Sequence, residues 1–252
     1  MARAKVIGII PARYGSTRLP GKALRLIAGK PMIQRVLECC RRACVLDAVY
    51  VATDDERIVE AVRAIGGEAI MTSPDHPSGT DRLAEAVQRL EGDIVVNIQG
   101  DQPFADPRMI EEAVLPLLND PKLPMATVVH AIANEEDLHN PSVVKTVVDL
   151  TGNALYFSRS LIPYPQKAVA HAVYEHVGLY VYRRDFLLRL AKLPPTPLEQ
   201  IESLEQLRVL ENGYRIRVVE TKCTDHTFTG FSVDTEEDLL RAEAMLRERG
   251  LD

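Results

Sequence analysis

Short apolar runs alternate with amphipathic stretches of helical period through the first half of the chain. Val6 to Ile10 is an unbroken apolar run, the pattern of a strand buried on both faces. From Pro31 onward, Ile33, Val36, Leu37, Cys40 and Cys44 recur at helical spacing. Ala48 to Thr53 predicts a second strand. Glu56 to Ile65 predicts a helix stopped by Gly66-Gly67, and Glu68 to Thr72 a short third strand. Leu83, Ala86, Val87 and Leu90 mark another helix, which Thr80 could cap. Asp93 to Ile98 is the strongest buried strand in the chain, and Pro107 to Leu118 is again helical. Alternation at this spacing predicts an α/β fold, with a mostly parallel, Rossmann-like central sheet and helices on both faces.

From Met125 the intervening helices drop out. Ala126 to Ile132 and Val143 to Val148 are β-branched runs joined by an acidic loop from Asn134 to Asn140. Leu150-Thr151-Gly152-Asn153 reads as a hairpin connection into Ala154 to Ser158, which predicts an antiparallel extension. The β-branched runs exceed what one domain needs, so they are expected to leave an edge open to pairing. Tyr174 to Tyr182 predicts a strand whose alternation puts His176, Gly178, Tyr180 and Tyr182 on one face. A helix is expected from about Leu198 to Glu211, with Glu199, Glu202 and Glu205 on a solvated side. Arg215 to Glu220 predicts a last strand, and Thr235 a cap for the C-terminal helix. The chain therefore divides into a core over 1–124, a subregion over about 125–225 and a tail over 226–252, all within one domain.

With 252 residues, 46% of them hydrophobic and 26% charged, the chain can bury a sizeable core. A formal net charge of -6 argues against general nucleic-acid binding. Cys39, Cys40, Cys44 and Cys223 lack nearby histidines at zinc spacing and are expected to be reduced thiols in a cytosolic protein. No membrane partner is expected, because no apolar stretch is long enough to span a bilayer and no cleavable leader is evident.

The chemistry gathers in the polar loops at strand exits, where open α/β sheets bind ligands. The first is Pro11-Ala12-Arg13-Tyr14-Gly15-Ser16-Thr17-Arg18-Leu19-Pro20-Gly21-Lys22. Arg13, Arg18 and Lys22 place three cations there, and Gly15 and Gly21 permit close backbone approach. The glycine spacing fits neither a Walker loop nor a dinucleotide fingerprint, yet the loop could cradle a triphosphate. In the second loop Ser78, Gly79 and Thr80 stand at a helix start whose amides could grip a base or a sugar. In the third, Asp101 follows the Asp93-to-Ile98 strand, where a carboxylate could hold a divalent cation with substrate phosphates. Nucleotidyl transfer and glycosyl transfer from a sugar nucleotide both suit such a pairing.

The segment P-A-R-x-x-S-x-R-L-P-G-K closely resembles the nucleotide-binding signature of the sugar-activating cytidylyltransferases, in particular those that act on 3-deoxy-D-manno-octulosonate (Kdo). Similar matches are H-x-S-G-T-D-R from His76, Gln99-Gly100-Asp101, H-x-G-x-Y-x-Y from His176, P-L-E-x-I-E-x-L-E-Q-L-R from Pro197 and V-D-T-x-E-D-L from Val233. Ser232 stands where this family usually has Gly. The resemblance implies transfer of CMP from CTP to Kdo for lipopolysaccharide synthesis, with Mg²⁺, in a cytoplasmic homodimer. It implies a nucleotide site of Pro11, Ala12, Arg13, Ser16, Arg18, Lys22, Ser78, Gly79, Thr80 and Gln99, with Lys22 catalytic. Asp101 and Asp234 would be catalytic metal ligands. Arg82, Gln102, Arg159, His176, Tyr180, Glu202 and Gln206 would face the sugar. Its carboxylate would meet Arg159, with His176 only partly charged near neutrality. A cytidylyltransferase for another sugar acid, such as sialic acid, or a non-catalytic nucleotide-binding protein remains an alternative.

Overall fold

The computed structural model describes residues 3–16, 18–167, 169–225, 228 and 230–251. It divides into two compact units, Met1–Glu111 with Cys223–Asp252, and Glu112–Lys222.

The first unit opens with β1 (Val6–Ala12), whose Val6, Ile7, Ile9 and Ile10 are fully buried. Burial of each such side chain contributes roughly 1.5–3 kcal/mol. A small ribbon, β2 (Leu26–Ile27) and β3 (Lys30–Pro31), leads into α1 (Met32–Cys40). Helix α1 ends before Cys44, which is exposed, while Cys39 and Cys40 are buried; all four cysteines are free thiols. There follow β4 (Ala48–Thr53), α2 (Glu56–Ala64), β5 (Glu68–Met71), α3 (Gly79–Val87), β6 (Ile94–Asn97) and α4 (Pro107–Asn119). β1 lies between β4 and β6, and β4 pairs with β5, all in parallel. That is the parallel α/β arrangement expected from the alternation. Its consequence is that the loops after β1, β4 and β6 leave the sheet at the same end.

In the second unit β7 (Met125–Ala131) is followed by α5 (Glu135–His139), β8 (Lys145–Val148), β9 (Ala154–Ser158) and β10 (Tyr174–Arg183). Then come α6 (Arg184–Leu190), α7 (Pro197–Glu202), α8 (Gln206–Glu211) and β11 (Ile216–Glu220). The chain returns to the first unit for α9 (Glu236–Glu248), where Thr235 and Asp238 form the expected capping box. β8 and β9 pair antiparallel, as the hairpin signal at Gly152 (φ 80°) requires, and β10 runs antiparallel to both β7 and β8. β7 is no open edge: it sits between β10 and β11, with Met125, Ala126, Val128 and Val129 buried. Its β-branched richness serves two-sided burial.

Two further expectations change here. The helix expected over Leu198 to Glu211 is two short helices, broken where Ser203 takes a left-handed conformation (φ 54°). The break turns Glu199 inward. Its carboxylate takes both the Nε (2.8 Å) and an Nη of Arg208, and both side chains are buried, so this face is not simply solvated. β10 also departs from regular alternation. Its register against β7 shifts between His176 and Tyr180, with Gly178 at φ 81°. An irregularity of that kind re-aims side chains while leaving His176 and Tyr180 ring to ring, 5.2 Å between centroids.

Candidate active site

The loops after β1 and β6 are built against each other. Gly100 packs so closely on β1 that a Cβ there would lie 2.7 Å from the Pro11 carbonyl oxygen. Gly21 takes a left-handed conformation (φ 65°) and donates its N–H to the Tyr14 carbonyl at 3.1 Å, folding the cationic loop back on itself. Leu19 of that loop is buried in a cluster with Ile27, Met32, Phe104, Val233 and Leu239. The cluster seats the loop beside the start of α9.

Asp101 and Asp234 are 133 positions apart in the chain and are joined by backbone: the Val233 N–H donates to the Asp101 carbonyl at 2.9 Å. The Asp234 N–H donates to the Asp238 carboxylate at 3.0 Å, which ties it to the α9 cap. Both Asp side chains accept from Lys22 Nζ, at 2.7 Å from Asp101 and 2.8 Å from Asp234. Arg18 adds an Nη at 3.0 Å from Asp234. Lys22 is 16% exposed and Arg18 66%, so the first ion pair is shielded and the second lies open to solvent.

Around these groups lies a cavity of about 360 Å³. It brings together Pro11, Ala12, Arg13, Ser16, Arg18, Lys22, Ser78, Gly79, Arg82, Gln99, Asp101 and Asp234, all expected from sequence. Thr80 and Gln102 do not line it. Thr80 is buried and is not the cap of α3; that role falls to Ser78, whose hydroxyl accepts the Asp81 N–H at 3.2 Å. Arg82 lines the cavity, but its guanidinium is buried and tied to Thr72 Oγ1 (2.6 Å) and Asp54 Oδ2 (2.8 Å). Asp54 in turn accepts the Tyr14 N–H, so Arg82 links the ends of β4 and β5 to the cationic loop.

Sequence reasoning assigned no role to His76, which lines the same cavity and places Nε2 2.6 Å from Glu85 Oε2. The signal was its place in H-x-S-G-T-D-R, three residues before Gly79.

Two converging carboxylates fit a small, hard divalent cation, which takes one or two such oxygens and completes its shell with water and phosphate. Among the described residues no three His, Cys, Asp or Glu side chains gather as a metal cluster. Asp101 and Asp234 thus offer two carboxylates, a donor set that a divalent cation shared with a phosphorylated ligand could use.

The remaining expected residues lie in the second unit. Arg159 donates from Nε to the Glu202 carbonyl (2.8 Å) and from Nη1 to the Pro141 carbonyl (2.9 Å). The Glu202 carboxylate accepts from Ser158 Oγ (2.6 Å) and the Arg159 N–H (3.0 Å). Tyr180 donates to Gln206 Oε1 at 3.1 Å, and Gln206 is buried. Burial lowers the His176 pKa to about 3, so the ring is neutral near neutral pH rather than partly charged. Lys145 escaped the sequence reading altogether. Fully buried, it donates Nζ to the carbonyls of Asn140 (2.7 Å), Val143 (2.7 Å) and Arg159 (3.0 Å), and so fixes the backbone from which Arg159 projects.

Comparison with known proteins gives a consistent result. The cytidylyltransferase family model matches residues 7–216. A 3-deoxy-manno-octulosonate cytidylyltransferase of Syntrophotalea carbinolica is 53% identical over 96% of this chain and 98% of its own. One from Geobacter metallireducens is 54% identical over 93% and 95%. A solved structure of CMP:2-keto-3-deoxy-manno-octonic acid synthetase complexed with CTP superposes with a TM-score of 0.92 at 48% identity, covering 98% of this chain and 100% of that one.

Proposed function

The chain belongs to the 3-deoxy-manno-octulosonate cytidylyltransferases, and on that premise we propose that it transfers CMP from CTP to Kdo, giving CMP-Kdo and pyrophosphate for lipopolysaccharide synthesis. The observation that carries this reading is the convergence of Lys22, Asp101 and Asp234 in one cavity with the Arg13–Ser16–Arg18 loop.

The reaction is a displacement at phosphorus. The oxygen of the sugar's anomeric hydroxyl bonds to the α-phosphorus of CTP as its proton is released to water. The bond between the α-phosphorus and the bridging oxygen of the pyrophosphate breaks, so that pyrophosphate leaves with the electron pair. The chain's work is placement and charge compensation. Arg13, Ser16, Arg18 and Lys22 hold the triphosphate, with Lys22 and Arg18 meeting charge that builds on the departing pyrophosphate. Ser78 and Gly79 bring the α3 start toward the nucleotide. Asp101 and Asp234 would hold Mg²⁺, which would supply positive charge to polarise a phosphoryl oxygen. Arg159, His176, Tyr180, Glu202 and Gln206 serve the sugar acid.

The reading includes a cytoplasmic homodimer. The four free thiols suit a reducing compartment, and no helix among the described residues is long and apolar enough to cross a membrane. The homodimer is what the family resemblance implies, and Leu150, Leu155 and Ile201, exposed in the second unit, are residues that such an interface could cover. Sedimentation velocity at micromolar concentration tests it, and a single monomer boundary refutes it.

The activity is tested by pyrophosphate release from CTP with Kdo and Mg²⁺, beside arms with EDTA, with sialic acid and with no sugar. Release only in the Kdo and Mg²⁺ arm is the expected outcome. Release with sialic acid but not Kdo would move the substrate, and release in no arm would leave nucleotide binding without catalysis.

A further inference from the structure

Thr127 lies in β7, fully buried, and its hydroxyl has two partners. Oγ1 is 2.7 Å from the Leu179 carbonyl and 2.9 Å from His176 Nε2. A hydroxyl carries one proton, and a carbonyl can only accept. The proton must therefore go to Leu179, which leaves the Thr127 oxygen as acceptor toward His176. The imidazole must then donate from Nε2–H. In the neutral ring one nitrogen bears the proton and the other the lone pair, so Nδ1 is the acceptor.

The shift in β10 register produces this arrangement. Tyr180 pairs with Thr127 and His176 with Val129, so four positions of β10 span two of β7. Gly178 at φ 81° absorbs the excess, and the Leu179 carbonyl meets the Thr127 hydroxyl. The ring is held on its other sides by Phe157, edge-on at 5.1 Å, and by Tyr180 at 5.2 Å. Neither of those ring contacts selects a tautomer, whereas the Thr127 hydroxyl does.

We propose that Thr127 is a positioning residue which fixes His176 as the Nε2–H tautomer, so that Nδ1 recognises the sugar acid by accepting a hydrogen bond from one of its hydroxyls. This rests on the reading that His176 serves the sugar. The Thr127 hydrogen bond is met by any ring protonated at Nε2; burial of the ring disfavours its charged form and so argues against a role for His176 as a cation toward the carboxylate. The same tautomer would also discriminate: an analogue lacking the hydroxyl leaves a lone pair unmet, whereas one that offers only another acceptor in its place meets repulsion.

The test uses the whole protein, with ¹⁵N-labelled histidine and two variants. Thr127→Val keeps the shape and removes the hydroxyl, and Thr127→Ser restores it. In the parent protein the long-range ¹H–¹⁵N spectrum of His176 should show a protonated Nε2 and an unprotonated Nδ1. Thr127→Val should mix the tautomers and raise the sugar KM roughly 5- to 10-fold, the worth of one hydrogen bond, with the CTP KM unchanged. Thr127→Ser should return both readouts to the parent values. A protonated Nδ1 in the parent, or a spectrum unmoved by Thr127→Val, overturns the tautomer assignment whatever His176 does. His176→Phe separates the underlying reading: a sugar KM unaffected by that change removes His176 from the sugar site and overturns the recognition role.

Discussion

Lys22 Nζ lies 2.7 Å from Asp101 Oδ2, an ion pair between residues 79 positions apart that joins the cationic loop after β1 to the acidic turn after β6. Neither partner is fully buried, so a ligand entering the cavity can reach the contact. Asp101→Asn keeps the shape of the turn and removes one of the two carboxylates. On the proposed reading that Asp101 holds a metal ion, several kcal/mol of transition-state stabilisation depend on it. Turnover should fall by at least about 10²-fold, with an unchanged circular dichroism spectrum and a weaker response to added Mg²⁺. A normal Mg²⁺ titration in this variant would remove Asp101 from the metal site.

The two cations nearest Asp234 should differ in weight. Lys22 is shielded and Arg18 open to solvent, so removing Lys22 deletes a charge acting at low screening. Lys22→Ala is expected to cost about 2–4 kcal/mol in kcat/KM for CTP, as for one oriented donor to developing charge. Arg18→Ala should cost less and lose its effect at high salt. Equal losses, or losses insensitive to salt in both, would contradict the ranking.

Gly100→Ala tests the approach of the two loops. The added methyl would stand 2.7 Å from the Pro11 carbonyl oxygen, and backbone cannot swing aside as a side chain can. Overpacking of this kind costs about 1–3 kcal/mol. Thermal unfolding should report that loss, and the CTP KM should rise because Pro11 and Asp101 no longer hold their spacing. A variant with parent stability and parent KM would show that the loops tolerate separation.

The parallel half of the fold was legible because its signals are local. An unbroken run such as Val6 to Ile10 admits few readings, and loops at the ends of parallel strands must gather at one end. The cavity residues from Pro11 to Lys22 and from Gln99 to Asp101 follow from that rule. What escaped was set by tertiary contacts. Nothing local marks Ser203 as the left-handed break between α7 and α8, or Glu199 as the buried partner of Arg208. Lys145 looked like an ordinary strand lysine, because its three carbonyl partners come from two separate segments of chain. Gly178 looked compatible with regular alternation, although its positive φ marks the place where β10 leaves register with β7. Asp234 needed the family resemblance, since sequence spacing cannot show that Val233 bonds to Asp101.

Glu175 gives a pH dependence of stability whose sign can be worked out. It lies on β10 with a side chain 29% exposed, 3.5 Å from His130 Nε2. Burial first, and the charge of Asp137 second, push its pKa from the ordinary 4.5 up to about 7, against the opposing pull of Lys145. Between those values the folded protein holds a proton that the unfolded chain has released. Where the native state binds more protons, stability falls as pH rises. The contribution is thus fully present below about 4.5 and is lost as pH rises through about 7. Glu175→Gln stays neutral throughout and should not lose it. His176 also titrates differently on folding but is common to both proteins and cancels, whereas His130, 3.5 Å from Glu175, is coupled to it, so both proteins are compared in a shared His130→Gln background. The variant's unfolding midpoint, relative to the parent's, should therefore climb across that window, by an amount on the order of 1–3 kcal/mol in stability. Parallel curves for the two proteins would mean that Glu175 ionises normally in the folded state.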